Sequence, residues 1–359
     1  MILMAVCAVC GGVDRILGNR FGLGKRFEEG FMLLGPIALS MAGIMCLMPA
    51  LSAVLEKVIA PPMAALGIDP GVFGGLLAID MGGYPLAMSL ARDPAVGRFA
   101  GIVIGGTFGC TLVFTIPVGM GLVPKGERPL FARGLLVGLI ALPAALLAGG
   151  MMSGLGLGNT LRQCLPVFIL AAILLWSLLR HPVGTTRAFG MLARFIEIIT
   201  TLGLMLGAVQ FMTGSELPIP LTPLDQVMPV VCSIATVLLG GMPLAELLQR
   251  ALRRPFTWLG RRTGMNLAGA TGLLVGIISV TPALGMFAGM DGRSKVVNAA
   301  ALVCGASALT AHFAFTIAVE PEMTAALLVT KGLGAAAAVA LALFFTRDMK
   351  PAGQENTAK

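Results

Sequence analysis

Charge is what this chain has least of. Only 12% of its 359 residues are Asp, Glu, Lys or Arg, where a soluble domain carries about 25%, so it cannot cover a water-facing surface. Charge-free windows recur at 31–55, 99–124, 134–161, 226–245, 263–290 and 296–319. Each is near or above the roughly 20 apolar residues that cross a bilayer. With 57% hydrophobic residues and a mean hydropathy of +0.93, the chain reads as an all-α polytopic membrane protein.

Other absences narrow the function. "GMDGRSK" at 289–295 has glycines and a lysine but lacks the GxxxxGK[ST] spacing, so ATP hydrolysis has no support. No second catalytic carboxylate, nucleophile or metal cluster accompanies the buried polar residues, which argues against a membrane-embedded enzyme using Asp80 and His312 as an acid–base pair. Cys7 and Cys10 form a CxxC inside an apolar run, without a second pair or a neighbouring His, and read as small packing residues. No cofactor is expected. The net charge of +8 sits in short connections between apolar windows, as in cytoplasmic loops, so nucleic acid is not the expected partner; the bilayer is. The first apolar run, 1–13, lacks the basic start and Ala-x-Ala site of a cleaved signal. It is short for a crossing, which leads to the expectation that Met1 lies inside a longer helix.

What the chain does contain is a repeat. "MLLGPIAL" (32–39) echoes "VLLGGMPLA" (237–245), and "GLLAIDMGGYP" (75–85) echoes "GLLVGIISVTP" (272–282). "RDPAVGR" (92–98) then resembles "MDGRSK" (290–295), and "VFTIPV" (113–118) resembles "AFTIAV" (314–319). Four matches in one order argue for duplication, with copies at about 28–151 and 226–346 and a cytoplasmic tail at 347–359. Loop Lys and Arg test the topology. If every apolar segment crosses, the two sides carry twelve each. If the broken segments 70–91 and 265–290 enter and return on one side, the division becomes twenty against four. The expected architecture is therefore about nine transmembrane helices plus two re-entrant hairpins (eleven hydrophobic segments), in inverted repeats. Loops 14–29, 124–133, 180–194 and 246–262 would be cytoplasmic.

Non-helical backbone at membrane depth survives only where protein or water satisfies it, so the tips "DMGG" (80–83) and "ISVT" (278–281) should line a cavity. Gly82 and Gly83 permit the reversal, and Tyr84, Ser279 and Thr281 flank it. Pro85 and Pro282 remove an N–H and free a carbonyl. Asp80 reads as a counter-ion for a cationic solute, as a proton carrier, or as a structural acceptor for the hairpin's own backbone; at bilayer depth it costs on the order of 3 kcal/mol unless hydrated or paired. His312 reads either as a donor or proton carrier or as a packed ring bonded to a nearby carbonyl. Thr107, Thr111 and Thr115 recur at helical spacing, as do Ser307 and Thr310 on the matching helix; either stripe suits a solute path or helix packing, with Thr115 the most suited to packing. Glu197 suits an ion pair with Arg194. Glu28 and Glu29 precede a helix and suit its positive end, a cytoplasmic gate being the sharper alternative. Lys331, about nine residues into the last helix, suits snorkelling, with its role left open.

At "FEEGFM" (27–32), "LLAIDMGGYPLA" (76–87), "TLVFTIPVG" (111–119) and "GMDGRSKVVNAA" (289–300) the chain resembles the EutH-type ethanolamine-utilisation permeases over nearly its whole length. The resemblance implies uptake of ethanolamine across a bacterial inner membrane for ethanolamine catabolism. An acidic residue would then meet the ammonium, and hydroxyl or backbone groups the alcohol. Asp80 would bind the cation, with Gly82, Gly83, Tyr84, Thr107, Thr111, Ser279, Thr281, Ser307, Thr310 and His312 lining the site. The chain departs from the family at Ser279 and Val280, where members carry paired Asn, and at Ala311, where members carry Asp before the histidine. Members also begin with a longer apolar segment. The first two departures touch the expected cavity and leave another small amine or an amino acid as the alternative solute. A homo-oligomer is left open.

Overall fold

The computed structural model describes residues 1–77, 83–215 and 217–349. Among these the structure is all-helical, and seven helices are long and apolar enough to cross a membrane. They are α2 (Leu23–Val58), α5 (Pro94–Leu122), α6 (Lys125–Met152), α7 (Leu157–Arg180), α8 (Pro182–Thr213, its apolar part Gly190–Thr213), α9 (Leu224–Thr263) and α14 (Pro321–Phe345). Shorter elements fill the gaps: α1 (Ile2–Ile16), α3 (Gly71–Leu76), α4 (Gly83–Leu90), α10 (Leu267–Ile278), α11 (Val280–Gly285), α12 (Gly292–Gly305) and α13 (Ala311–Val319). The chain is a multi-pass membrane protein. The outer faces of α7 and α8 present Ile173, Trp176, Phe195 and Ile198 outward, as lipid contact requires.

Several expected loops are helical. Segment 246–262 continues α9 to 40 residues, about 60 Å at 1.5 Å per residue, twice the roughly 30 Å apolar core. Its five arginines are good helix formers, so leaving the bilayer does not end the helix. The loop expected at 14–29 shrinks to a turn. Gly18 and Asn19 adopt positive φ there, and the Asp14 carboxylate accepts from the N–H groups of Phe21 (2.9 Å), Leu23 (2.8 Å) and Gly24 (2.8 Å). Helix α2 thus begins before Glu28 and Glu29, which sit in its second turn paired with Arg15 (3.7 Å) and Arg26 (2.7 Å) rather than ahead of its first. Arg194 and Glu197 do form the expected exposed pair, at 2.8 Å.

Helices α1, α2, α8 and α9 pack together, as do α6, α12 and α14, while α5 is buried along its length against α3 and α4. The α2–α8 contact has no room for side chains: a Cβ on Gly43 would lie 1.7 Å from the Thr200 carbonyl oxygen, and one on Gly203 would lie 2.1 Å from that of Gly43. Close approach through small residues is how helices associate where lipid supplies no hydrophobic drive.

Both broken segments have tied bases. Asp69 accepts from Gly71 N–H (2.8 Å) at the start of α3 and from Arg92 (3.0 Å) and Asp93 (2.9 Å) N–H after α4. Asn266 accepts from Gly269 N–H (2.8 Å) at the start of α10 and donates to the Gly289 carbonyl (2.8 Å) after α11. Pro85 and Pro282 each fall third in the second arm, in the first helical turn, where a missing N–H costs no intrahelical bond.

The segment 296–319 differs from expectation. Instead of one crossing helix it is α12, a break at 306–310, and α13. Ser307 lies at φ 51°, in the left-handed region, and Ser307 and Thr310 do not share a helix face. The break forms because it supplies the donors that the end of α10 needs. Ser307 N–H donates to the Gly276 carbonyl (3.2 Å), Leu309 N–H to that of Ile277 (3.1 Å), and the Thr310 hydroxyl to that of Ile278. Carbonyls in the last helical turn have no partner within the helix, and at membrane depth they need one.

Candidate functional site

The buried polar groups converge where α5, the α12–α13 break and α14 meet. Helix α5 is π-helical over Phe99–Gly109 and Thr111–Thr115, a widened geometry frequent at functional sites. Thr107 donates to the Val103 carbonyl (2.6 Å) within its own helix. Thr111 is placed between the Thr107 carbonyl and the Val303 carbonyl of α12, each at 2.9 Å, and so joins α5 to α12. Thr115 is buried with no hydrogen-bond partner among the described residues.

Lys331 completes the cluster. Its side chain does not snorkel: it is 1% exposed and its Nζ donates to the carbonyls of Gly106 (2.5 Å), Ala306 (2.8 Å) and Cys304 (3.5 Å). His312, buried in the first turn of α13, places Nδ1 3.2 Å from the same Ala306 carbonyl, the packed arrangement of the two considered. With Nδ1 as donor, Nε2 keeps a free acceptor site.

Of the other expected site residues, Asp80 and Gly82 lie outside the described residues. Gly83 is buried and begins α4; Ser279 is half-buried at the end of α10 in extended backbone, and Thr281 is exposed. Tyr84 points away from the threonines. Its hydroxyl donates to Glu320 (2.7 Å), which also lies 3.6 Å from Arg98, and its ring meets Phe315 edge-on at 5.8 Å. Sequence reasoning missed Glu320, counted only as part of a short connection, and missed the inward aim of Lys331. The signal for Lys331 was a lone cation deep in an apolar helix. For Glu320 there was none beyond its acidity.

Cavities lie beside the cluster and elsewhere among the described residues. One of about 480 Å³ lies between α10, α12 and α14, with an apolar wall except for Asn298 and Lys331; Asn298 is engaged by the Gly269 and Ser294 carbonyls. A second, about 530 Å³, is lined by Lys25, Glu28, Glu29 and Met242, which puts the two glutamates at an opening. A third, also about 530 Å³, is apolar and lies between α3, α7 and α8. Among the described residues, none of the expected substrate residues lines these walls.

The profile of the family described as "Ethanolamine utilisation protein, EutH" matches residues 1–345. A Listeria monocytogenes protein named probable ethanolamine permease EutH is 35% identical over 359 residues, covering 99% of this chain and 96% of its own. An Escherichia coli K12 protein of the same name is 35% identical over 382 residues, with 96% and 94% covered. The Bacillus subtilis protein YxeR, described as uncharacterized, is 34% identical over 347 residues, again with 96% and 94% covered. No solved structure matches. Matched along nearly its whole length by these proteins, the chain belongs to the EutH family of ethanolamine utilisation proteins.

Proposed function

We propose that this protein is a secondary transporter or facilitator that imports protonated ethanolamine across the bacterial inner membrane, and is not an enzyme. The observation that carries the reading is the meeting of two irregular post-hairpin helices, π-helical α5 and broken α12–α13, around one buried polar cluster. Irregular backbone at membrane depth is found where protein or a water-filled path satisfies it, and carriers place their solute at such points. The permease names of the Listeria and E. coli relatives supply the solute.

The topology belongs to the same proposal: one membrane domain of two inverted repeats, about nine crossings and two re-entrant hairpins. The tied bases at Asp69 and Asn266 support it, since each joins the outer ends of a hairpin's two arms. So do Arg26–Glu246, Lys295–Glu127, Arg98–Glu320 and the Asp69 N–H to Gln163 bond. Every one joins loops that the re-entrant scheme puts on one face; with all segments crossing, each would have to bridge the bilayer. The Ser307, Leu309 and Thr310 bonds also make hairpin two and its following helix one body, as an elevator movement against α1, α2, α8 and α9 requires.

In this reading Asp80 is the counter-ion, and Gly82, Gly83, Thr107, Thr111, Ser279, Thr281, Ser307, Thr310 and His312 lie along the solute path. Tyr84 acts on the outer side through Glu320. Ser279 and Val280 at the hairpin-two tip favour one second reading, a different small amine or an amino acid as solute. Labelled-ethanolamine uptake at two external pH values, with competition by other small amines and amino acids, tests both. Ethanolamine should compete best, and Asp80→Asn should lose uptake at each pH; undiminished uptake in that variant removes the counter-ion role.

A further inference from the structure

Lys331 is buried in the middle of α14, and its partners are unusual for a lysine. An ammonium has three N–H donors, and the three contacts of Nζ are backbone carbonyls: Gly106 from the π-helical part of α5, and Cys304 and Ala306 from the end of α12 and the break beyond it. Among the described residues no carboxylate lies within ion-pair distance of it. A buried charge is costly unless hydrogen bonds replace its water. Here the replacement comes from Cys304 and Ala306, at the end of α12 and in the break beyond it, where carbonyls lack helical partners, and from Gly106 inside the π-helical stretch of α5, aided by the negative end of the α12 dipole.

Carbonyl oxygens at irregular and broken helices are also what bind a metal cation in carriers with discontinuous helices, hard cations preferring oxygen ligands. We propose that Lys331 is a tethered cation filling a carbonyl site built for a monovalent ion, so that the protein holds its two post-hairpin helices together without bound Na⁺ or K⁺. The lysine thereby acts as a positioning residue: it fixes Gly106 of one copy against Ala306 of the other and holds the carbonyl that His312 also contacts. This rests on the transport reading only for its effect on uptake; the ion site itself does not depend on the solute.

The test uses purified wild type, Lys331→Met and Lys331→Ala, with thermal midpoints and ethanolamine uptake measured in NaCl, KCl and N-methylglucamine chloride. Wild type should show one midpoint and one uptake rate in all three salts. Lys331→Met, which fills the space without charge, should melt about 4 °C lower or more in every salt and lose about tenfold of its uptake. Lys331→Ala, which opens the site, should melt lowest in N-methylglucamine and recover with Na⁺ or K⁺. The proposal is overturned by wild-type stability or uptake that rises with Na⁺, by a Lys331→Met protein that matches wild type, or by a folded Lys331→Ala protein that neither alkali cation restores. Should Lys331→Ala yield no folded protein in any salt, the wild-type and Lys331→Met comparisons decide. Absence of wild-type ethanolamine uptake in every salt would instead sink the transport reading while leaving the midpoints to judge the ion site.

Discussion

At the residue scale, hydroxyls that read as solute ligands are already engaged by backbone. Thr111 contacts carbonyls of two helices and Thr310 caps α10. Thr111→Val keeps the shape and leaves the Val303 carbonyl unsatisfied, a loss of about 1–3 kcal/mol. A thermal midpoint lowered by several degrees is the expected result, and an unchanged midpoint would remove Thr111 as the joint between α5 and α12. Ser307 gives a complementary case, because its φ of 51° suits glycine and opposes a β-branched side chain. Ser307→Gly should retain the wild-type midpoint and Ser307→Val should lower it; uptake by the glycine variant then reports whether the hydroxyl itself matters. The sequence reading let Lys331 snorkel; its partners Gly106, Cys304 and Ala306 lie 225, 27 and 25 residues away and leave no local pattern, so its inward direction was not legible.

At the element scale, prolines and loop charge made the two broken segments legible, because Pro85 and Pro282 interrupt apolar windows and short charged links follow. The break at 306–310 was hidden for the opposite reason. "ASALT" contains no proline or charge, and its neighbours keep a continuous apolar pattern; the donors it offers matter only once α10 lies beside it. The full length of α9 was hidden too, since an arginine-rich stretch with Pro255 reads as a loop on hydropathy alone. The hairpin bases supply a test of the elements themselves. Asp69→Ala removes the acceptor of three backbone N–H groups and should open hairpin one locally, measured as faster hydrogen exchange over 70–77 and 83–93. Asn266→Ala should do the same over 265–290 and leave hairpin one protected. Exchange rising equally in both hairpins would contradict independent bases.

For the whole molecule, the basic residues carried most of the information, since twenty of the loop Lys and Arg fall to one side only when the hairpins return. In the proposed inverted-repeat scheme, the contacts Arg98–Glu320 and Lys295–Glu127 link the start of α5 and of α12, respectively, to the opposite copy. Exposed to an impermeant thiol reagent from outside intact cells, Glu320→Cys should react and Glu127→Cys should not; labelling of both from one side would refute the inverted arrangement. Composition and loop charge alone did not provide the solute; the motif resemblance implied ethanolamine, and the relatives' permease names support it. The most direct measurement is therefore uptake of labelled ethanolamine by purified protein in liposomes, with Asp80→Asn and protein-free liposomes alongside. The account expects saturable uptake by the wild type that falls to the protein-free level in Asp80→Asn. Wild-type uptake no greater than that of protein-free liposomes would contradict it.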